Sequence, residues 1–395
     1  MSDPTLCSLC PRMCRYACPV SNGAADETAT PTAMIQAWKE AQAGRLSWKA
    51  AADAVSRCTG CMACQAPCEF DQDVPSMLYQ ARAQAWTNGG VPDGAQLLHK
   101  HYLDSGNPYG EDLHRAMREH ASDGDFDRKG RVLFWPGCRL LHDAPADVAT
   151  LMHVFRALGA DHISLPAREE TPCCGGPLRA IGDEAGFQVA IAGLQQYFNR
   201  QRTWITPSAE CLNTVREGYG STGNDITAEV LHLSEYLLFF RDQVADLGKA
   251  AMDRLERLDA GVPPILVFDS CGVRRRAGRG DAVYALLEAA TGARPPSFGI
   301  SADRTVCCGA GDFHDLRRPE AAARVAEFAI DGRPVPAGSW IVATDTACTS
   351  SLQRAIDAGA HVMDLTTFLV RWLGPAVAEG ARSSTPVASG LKSDG

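Results

Sequence analysis

The pattern of apolar and polar residues divides the chain into a helical first part and a longer part in which strands and helices alternate. In the first part, apolar residues recur three and four positions apart over 31–41, 47–58 and 74–86, which predicts three helices. Further along, short apolar runs bounded by turn residues predict strands at 131–135, 162–165, 203–206, 265–268 and 340–344. Helical periodicity between them covers 146–158, 186–200, 282–290 and 319–330. This alternation predicts α/β units with parallel strands.

The strand and helix pattern occurs twice, in the same order relative to four cysteines. In each copy a strand ends at a cysteine, a Cys-Cys-Gly sequence follows, and a later strand precedes a fourth cysteine. The intervals between corresponding cysteines are nearly equal, which indicates an internal duplication. The cysteines are Cys138, Cys173, Cys174 and Cys211 in the first copy, and Cys271, Cys307, Cys308 and Cys348 in the second.

These patterns predict an α+β multidomain chain. We expect an α-helical domain at 1–103, a polar linker at 104–130, and repeats at 131–245 and 262–373. The Ala-, Gly- and Ser-rich residues 374–395 are expected to be a disordered tail.

The helical part contains two further sets of four cysteines. One set has the C-x2-C-x2-C-x3-C spacing of bacterial ferredoxins and consists of Cys58, Cys61, Cys64 and Cys68. The other has one extra residue after its second member and consists of Cys7, Cys10, Cys14 and Cys18. In two-cluster ferredoxins the fourth cysteine of a motif binds the other cluster. We therefore expect one [4Fe–4S] cluster on Cys7, Cys10, Cys14 and Cys68, and a second on Cys58, Cys61, Cys64 and Cys18. Zinc and disulfides are the alternatives.

Composition and charge narrow the class of protein. The apolar fraction of 45% is ordinary for a soluble globular protein, and no apolar run reaches the length of a membrane helix. We see no secretory signal, and sixteen cysteines at metal-ligand spacings indicate a reducing, cytoplasmic setting. The net charge of −9 argues against nucleic acid as the main partner. No glycine-rich turn joins a strand to a helix in the nucleotide-binding pattern, so no nucleotide or flavin site is predicted.

A helical two-cluster ferredoxin followed by two copies of Cys…Cys-Cys-Gly…Cys resembles the CCG-domain iron–sulfur proteins. This group includes heterodisulfide reductase catalytic subunits, iron–sulfur subunits of glycolate oxidase and lactate-utilisation enzymes, and the corresponding iron–sulfur subunit of anaerobic glycerol-3-phosphate dehydrogenase. The resemblance covers about residues 5–372 and depends on the paired cluster motifs, on 171–177 and on 307–311. It implies an α-helical ferredoxin domain with two [4Fe–4S] clusters, followed by a duplicated α/β CCG domain.

The end of each repeat departs from the heterodisulfide reductase pattern. In those relatives, the resemblance implies five cysteines per repeat around a non-cubane [4Fe–4S] cluster, the last two as C-x2-C. Here Ser208 stands where Cys211 would have its partner, and Asp345 stands where Cys348 would. Each repeat retains four thiols, which suit a further iron–sulfur cluster or zinc, or hold no metal. Members of the hydroxyacid-oxidising branch often carry a single cysteine here, so the departure favours that branch.

The resemblance implies an iron–sulfur electron-transfer subunit of a multi-subunit oxidoreductase. Its clusters would relay electrons between a flavoprotein dehydrogenase and a membrane-bound or soluble acceptor at the CCG domain. One alternative is a heterodisulfide-reductase-like catalytic subunit that reduces a disulfide or related two-electron substrate. Another is a zinc-stabilised docking module. We expect a cytoplasmic protein. Any association with the inner face of the membrane would be through a partner.

Two lesser features lie near the cysteine motifs. The basic run 274–279 is expected to be a solvated loop, with binding of a carboxylate, a phosphate or an acidic partner surface as the alternative. His142, His232 and His314 are expected to be surface or satisfied histidines, with hydrogen bonding to cluster sulfurs as the alternative.

Overall fold

The computed structural model describes residues 2–126, 132–167, 173–356 and 359–383, and these form a mixture of helices and two small parallel sheets. Several predicted features lie partly outside the described residues: the end of the linker at 127–130, the first residue of the strand 131–135, the first two residues of the 171–177 motif, and the tail from 384 onward. No helix of the described residues is both long and apolar enough to cross a membrane.

The first part of the chain is helical. Its α-helices, α1 to α7, are Cys14–Ala17, Pro19–Ala24, Pro31–Gln42, Trp48–Val55, Val74–Thr87, Asp93–Ser105 and Leu113–His120. Short 3-10 turns lie at Leu6–Ser8, Glu27–Ala29 and Asp123–Asp125. A side-chain cap marks the start of each of helices α3, α4 and α5. The capping residues Thr30, Ser47 and Asp73 each accept a backbone N–H of the first turn. These are the three helices that the apolar periodicity predicts.

The first repeat contains a four-stranded parallel sheet. Its strands, β1 to β4, are Val132–Phe134, Ile163–Ser164, Thr203–Thr206 and Glu229–His232, in the order β2-β1-β3-β4. The helices of this region, α8 to α14, are Gly137–Asp143, Pro145–Ala157, Gly176–Ile181, Glu184–Asn199, Ala209–Asn213, Tyr219–Ser221 and Leu233–Leu237. A π-helical turn at Thr214–Gly218 joins α12 to α13, and a 3-10 turn lies at Leu238–Phe240. Every residue of β1 and β3 is buried, as expected for central parallel strands covered on both faces.

The second repeat contains a three-stranded parallel sheet. Helix α15, Arg241–Arg257, precedes it, and its strands, β5 to β7, are Ile265–Phe268, Trp340–Ala343 and His361–Asp364, in that order. Its helices, α16 to α20, are Gly280–Thr291, His314–Arg317, Pro319–Ile330, Thr346–Ala355 and Leu365–Ser383. A π-helical turn lies at Gly272–Arg276, and 3-10 turns lie at Ala302–Arg304 and Gly311–Phe313. A single parallel bridge from Val267 to Ser297 occupies the place that β2 has in the first sheet. The two sheets confirm the predicted α/β alternation.

An aromatic cluster fills the core of the first repeat. The ring of Phe198 is fully buried and lies 4.9 Å from that of Trp135 and 5.4 Å from that of Trp204, measured between centroids. Edge-to-face and tilted contacts of this kind add to the free energy gained from burying large apolar side chains. The cluster fixes the sheet beneath the cysteine-bearing loops.

Two segments differ from their predicted state. The predicted linker contains α7, whose Leu113 and Met117 are buried in the core of the first repeat. Helix α20 continues to Ser383 and packs against α9 and α15, so residues 374–383 are helical and not a disordered tail. The carboxylate of Glu379 contributes to this packing through ion pairs with Arg254 and Arg257, at 2.8 and 2.9 Å.

The helical part packs directly against both repeats. Helix α2 lies on α18 of the second repeat, and α5 lies on α10 of the first. At the second contact, Gly182 approaches the backbone of Arg82 so closely that a Cβ atom would lie 2.4 Å from its carbonyl. This glycine also has a positive φ of 92°.

Replacing Gly182 tests this contact. We expect Gly182→Ala to lower the free energy of unfolding by about 1–3 kcal/mol more than Gly159→Ala does, because the added methyl group overpacks the interface. Gly159 is the matched control: its φ is 81°, and a Cβ atom there would meet nothing within 4 Å. Both variants carry the same backbone strain, so only the contact differs. Equal unfolding midpoints of the two variants in urea, measured without oxygen, would contradict the packing.

Candidate metal centres

Four thiols from both cysteine motifs lie together in the helical part. Burial raises the pKa of the Cys14 thiol to about 11, and the neighbouring thiols that add to this shift are Cys10, Cys7 and Cys68. Burial likewise raises the pKa of Cys7, with Cys10 and Cys68 as further causes. The backbone N–H of Gln72 donates to Cys68 Sγ at 3.4 Å, the kind of bond that stabilises a thiolate ligand. The structure thus places Cys68 with the first motif.

The remaining four thiols form a second set. Burial raises the pKa of Cys64, and the thiols that add to the shift are Cys61, Cys58, Cys18 and Cys14. Burial and then Cys61 raise the pKa of Cys18, which places this residue beside the second motif. Gly60, with a φ of 67°, lets the chain turn so that its N–H donates to Cys58 Sγ at 3.3 Å. The two sets are those expected from the exchange of fourth cysteines, and cluster ligation itself remains a prediction.

The four cysteines of the first repeat come together at the carboxyl edge of its sheet, on loops and helices that follow the strands. All are buried and linked by thiol–thiol hydrogen bonds: Cys138, Cys173, Cys174 and Cys211. Cys174 accepts from Cys173 and Cys211, which holds its pKa well below the usual range. Gly137 lies against this set, because a Cβ atom there would lie 3.1 Å from Cys211 Sγ.

The second repeat brings its four cysteines together in the same way. All are buried: Cys271, Cys307, Cys308 and Cys348. The Sγ atoms of Cys308 and Cys348 are 2.8 Å apart. Cys271 and Cys61 donate hydrogen bonds to Cys307 and lower its pKa, although the thiol of Cys308 opposes the shift. The contact between Cys61 and Cys307 joins the second set of the helical part to the second repeat.

The residues in place of the missing cysteines serve as helix caps. Ser208 Oγ accepts the N–H of Cys211 at 3.3 Å and begins α12. Asp345 Oδ1 accepts the N–H of Ala347 at 3.4 Å and begins α19. The same oxygen accepts the N–H of Ala209 at 3.2 Å, so Asp345 also joins the two repeats. A helix-capping and bridging role explains these oxygens without metal ligation.

The donor chemistry of all four sets suits iron–sulfur clusters, which are held by cysteine thiolates. Among the described residues, no group of three or more His, Cys, Asp or Glu side chains is arranged to hold a single metal ion. The four thiols of each repeat are thus compatible with an iron–sulfur cluster, with zinc or with no metal.

A buried charged network near the cysteines was not predicted. Arg139 donates to Glu210 at 2.9 Å and, with two nitrogens, to both oxygens of Asp315 at 2.9 Å. Burial raises the pKa of Glu210 to about 7, although Arg139 opposes the shift. The network joins the first repeat to the second. In the sequence, the network is marked only by charged residues next to two cysteines: Arg139 follows Cys138, and Glu210 precedes Cys211.

The basic run is not the solvated loop that was expected. Arg274 pairs with Asp269 and Asp281, and Arg276 pairs with Glu217 at 2.8 Å. These arginines are only 11% exposed, because they lie on a π-helical turn between the helical part and the second repeat. The neighbouring Arg275 donates to the carbonyl of Cys61 at 2.9 Å.

The three histidines bond to groups other than cysteines. His232 contacts Ser234 Oγ at 2.8 Å and the carbonyl of Pro207 at 3.3 Å, and burial lowers its pKa to about 4. His314 contacts the carbonyl of Gly309 at 3.1 Å, and His142 pairs with the carboxylate of Glu111 at 2.9 Å. These contacts agree with the expectation for His142 and His232, whereas Nε2 of His314 is buried without a hydrogen-bond partner among the described residues.

Buried thiols in two α/β repeats, next to two cysteine sets on helices, define a cysteine-rich protein whose donor groups suit iron–sulfur clusters. A family model described as CCG, the cysteine-rich domain, matches residues 132–216 and again 265–353. The double match confirms the duplication and supports the resemblance to the CCG-domain proteins, without distinguishing among the branches of that group. No curated protein matches the chain.

Exchange of the fourth cysteines can be tested by single substitutions. We expect Cys68→Ala to disturb the cluster on Cys7, Cys10 and Cys14, and Cys18→Ala to disturb the other cluster. Electron paramagnetic resonance of the reduced protein shows which cluster signal is lost, and the iron content shows how much cluster is missing. If Cys68→Ala altered only the cluster on the second motif, the exchange would be wrong.

The capping role of Asp345 predicts different effects for two substitutions. Asparagine caps helices as well as aspartate, so Asp345→Asn should leave iron content and the unfolding midpoint unchanged. Asp345→Ala should lower the free energy of unfolding by more than about 1 kcal/mol, because it removes both the cap and the bond from Ala209, with iron content again unchanged. Loss of iron in the asparagine variant would indicate that the carboxylate is a ligand.

Proposed function

We propose that this chain is an iron–sulfur electron-transfer subunit of a multi-subunit oxidoreductase. Two [4Fe–4S] clusters on the eight cysteines of the helical part relay electrons between a flavoprotein dehydrogenase and an acceptor at the CCG domains. The observation that carries this proposal is the continuity of the thiol sets from the surface of the helical part to the second repeat.

Neighbouring sets are close at two points. Cys14 of the first set is near enough to Cys64 of the second to affect its pKa. Cys61 of the second set donates a hydrogen bond to Cys307 of the second repeat. A relay needs short gaps between successive centres, and this order of cysteines supplies them.

The surroundings of the second set also suit a redox centre. Arg82 donates to the carbonyl of Cys58 at 2.6 Å, and Arg275 donates to that of Cys61. Reduction adds negative charge to a cluster, so buried cations and hydrogen-bond donors nearby favour the reduced state. These contacts are part of what would set the reduction potential of this centre.

An apolar surface surrounds the cysteine loops of the helical part. It includes exposed side chains of Leu9, Met13, Tyr16 and Phe70, at 76%, 44%, 69% and 40%. Exposed apolar groups of this kind mark surfaces where partners bind. The surface supports docking of the flavoprotein close to the first cysteine set.

A catalytic subunit that reduces a two-electron substrate is the second candidate. It is favoured by a cavity at the junction of the repeats and the helical part, whose lining includes Cys271, Cys308 and Cys348. The replacement of two closing cysteines by Ser208 and Asp345 disfavours the paired non-cubane clusters that such chemistry uses in the relatives.

Iron, acid-labile sulfide and zinc counts on protein purified without oxygen separate these candidates from a zinc-stabilised docking module. Two cubane clusters require about eight iron and eight sulfide per chain. Additional iron and sulfide would place a further cluster in the repeats, and zinc with less iron would favour the docking module.

The relay predicts that the isolated chain does not turn over organic hydroxyacids. Oxidation of a C–H bond removes two electrons and needs a cofactor such as flavin, which the sequence gives no site to hold. After cluster reconstitution, lactate, glycolate and glycerol-3-phosphate should therefore fail to reduce an artificial acceptor. Turnover without an added flavoprotein would reject the relay and favour the catalytic candidate.

A further inference from the structure

The cavity at the junction of the two repeats and the helical part has an unusual lining. Its volume is about 40 Å³, room for about three water molecules. The lining includes Arg179, Arg276, Tyr79 and Thr214 beside the thiols of Cys308 and Cys348. The cavity therefore places cationic groups beside sulfur atoms of the second repeat.

Arg179 is the notable member of this lining. It lies on α10, is half-buried, and its guanidinium carbon lies 4.2 Å from the ring centroid of Tyr79. Its guanidinium makes no hydrogen bond and no ion pair with a described side chain, although its Nε and one terminal nitrogen lie close to Gly218. A guanidinium has five N–H donors, so its remaining edge can donate to a ligand.

The charges around Tyr79 leave Arg179 without a counter-ion among the described side chains. Arg82 and Arg276 also lie over this ring, each at 5.4 Å. Arg82 pairs with Asp312 at 3.1 Å, and Arg276 pairs with Glu217 at 2.8 Å.

Burial opposes ionisation of Asp312, but Arg82 and Arg276 hold its pKa below the usual value, so it is charged. This carboxylate is already shared, because it also accepts the Tyr79 hydroxyl at 2.5 Å. It is therefore not available to Arg179.

The two other acids in the lining are engaged elsewhere. Glu210 pairs with Arg139, and Asp345 accepts backbone N–H groups of both repeats. The cavity thus has a free cation and no free anion among its described side chains.

We propose that this cavity binds a small carboxylate-bearing molecule through the guanidinium of Arg179, beside the thiols of the second repeat. The planar fork of a guanidinium matches a carboxylate with two parallel hydrogen bonds. The volume limits the ligand to about the size of acetate, glycolate or lactate. The binding of this molecule is a property of the cavity and does not depend on the proposed function.

Close backbone packing keeps the cavity narrow. A Cβ atom on Gly176 would lie 2.9 Å from Thr214 Oγ1, and one on Gly60 would lie 2.8 Å from a carboxylate oxygen of Asp312. Side chains at these positions would displace the groups around Arg179. The glycines therefore preserve the space that a ligand would occupy.

The competing explanation is that Arg179 balances the negative charge of a nearby cluster. In that case its removal would shift the midpoint potential of a cluster, and carboxylates would not bind. A ligand site instead requires saturable binding that depends on the guanidinium fork.

Calorimetric titration of the reconstituted full chain with acetate, glycolate and lactate, without oxygen, tests the proposal. We expect saturable binding that weakens at least tenfold in Arg179→Gln. Arg179→Lys should also bind more weakly than the unaltered chain, because it keeps the charge but loses the fork. Arg118→Gln, at an exposed arginine on α7, is the matched control and should bind as the unaltered chain does.

The proposal is overturned if none of the three carboxylates binds, if Arg179→Gln binds them unchanged, or if sulfate binds as tightly as they do. A shifted cluster potential in Arg179→Gln without a change in binding also overturns it, in favour of charge balance.

Paramagnetic resonance of the same samples separates the ligand site from the proposed electron relay. Reducible clusters without carboxylate binding reject only the ligand site, whereas binding to protein whose clusters cannot be reduced supports the site and rejects the relay.

Discussion

The buried guanidinium of Arg82 contacts all three parts of the molecule. It is 4% exposed and donates to the carbonyls of Val55 and Cys58 in the helical part, to that of Ala180 in the first repeat, and to the carboxylate of Asp312 in the second. A buried charge is tolerated only when it is paired and its hydrogen bonds are satisfied. The position of the cysteine loop that begins at Cys58 is therefore fixed relative to both repeats by one side chain.

The remaining contacts between the repeats follow the geometry of parallel sheets. The carboxyl ends of parallel strands lie at one edge, so the loops that carry the cysteines meet there. Asp345 and the Arg139–Asp315 pair then connect these edges across the two repeats. Asp345 accepts hydrogen bonds from both repeats. These bonds explain why a carboxylate stands at a position where relatives are expected to have cysteine.

Local patterns predicted most of the fold. Apolar periodicity with side-chain caps located helices α3 to α5, and the repeated order of cysteines revealed the duplication. Apolar runs located five of the strands but not β4 and β7. Helix α7 was missed because it has only two buried apolar residues, Leu113 and Met117, in a polar segment. The end of α20 was missed because its Ala- and Gly-rich composition resembles that of a flexible tail, although tertiary packing stabilises it.

The candidate sites were predictable only in their cysteines. Spacing identified the thiols, because ligands to one centre recur at short fixed intervals. The charged groups that surround them come from distant parts of the chain, as Arg82 and Asp312 do, so no local pattern contains the pair. The basic run resembled a solvated loop for the same reason, because Arg275 bonds to Cys61 and Arg276 pairs with Glu217, both far away in the sequence.

The burial of the repeat thiols has a consequence for how the protein matures. Cys173 and Cys307 are 0% exposed, and the helical part covers Cys307 directly. A preassembled cluster cannot reach these sulfurs once the three parts have closed together. Any cluster delivered to the repeats would therefore have to bind while the chain is partly open, before the helical part closes over them. Any cluster that the repeats hold then exchanges with solution at the rate of unfolding, not at that of its own dissociation.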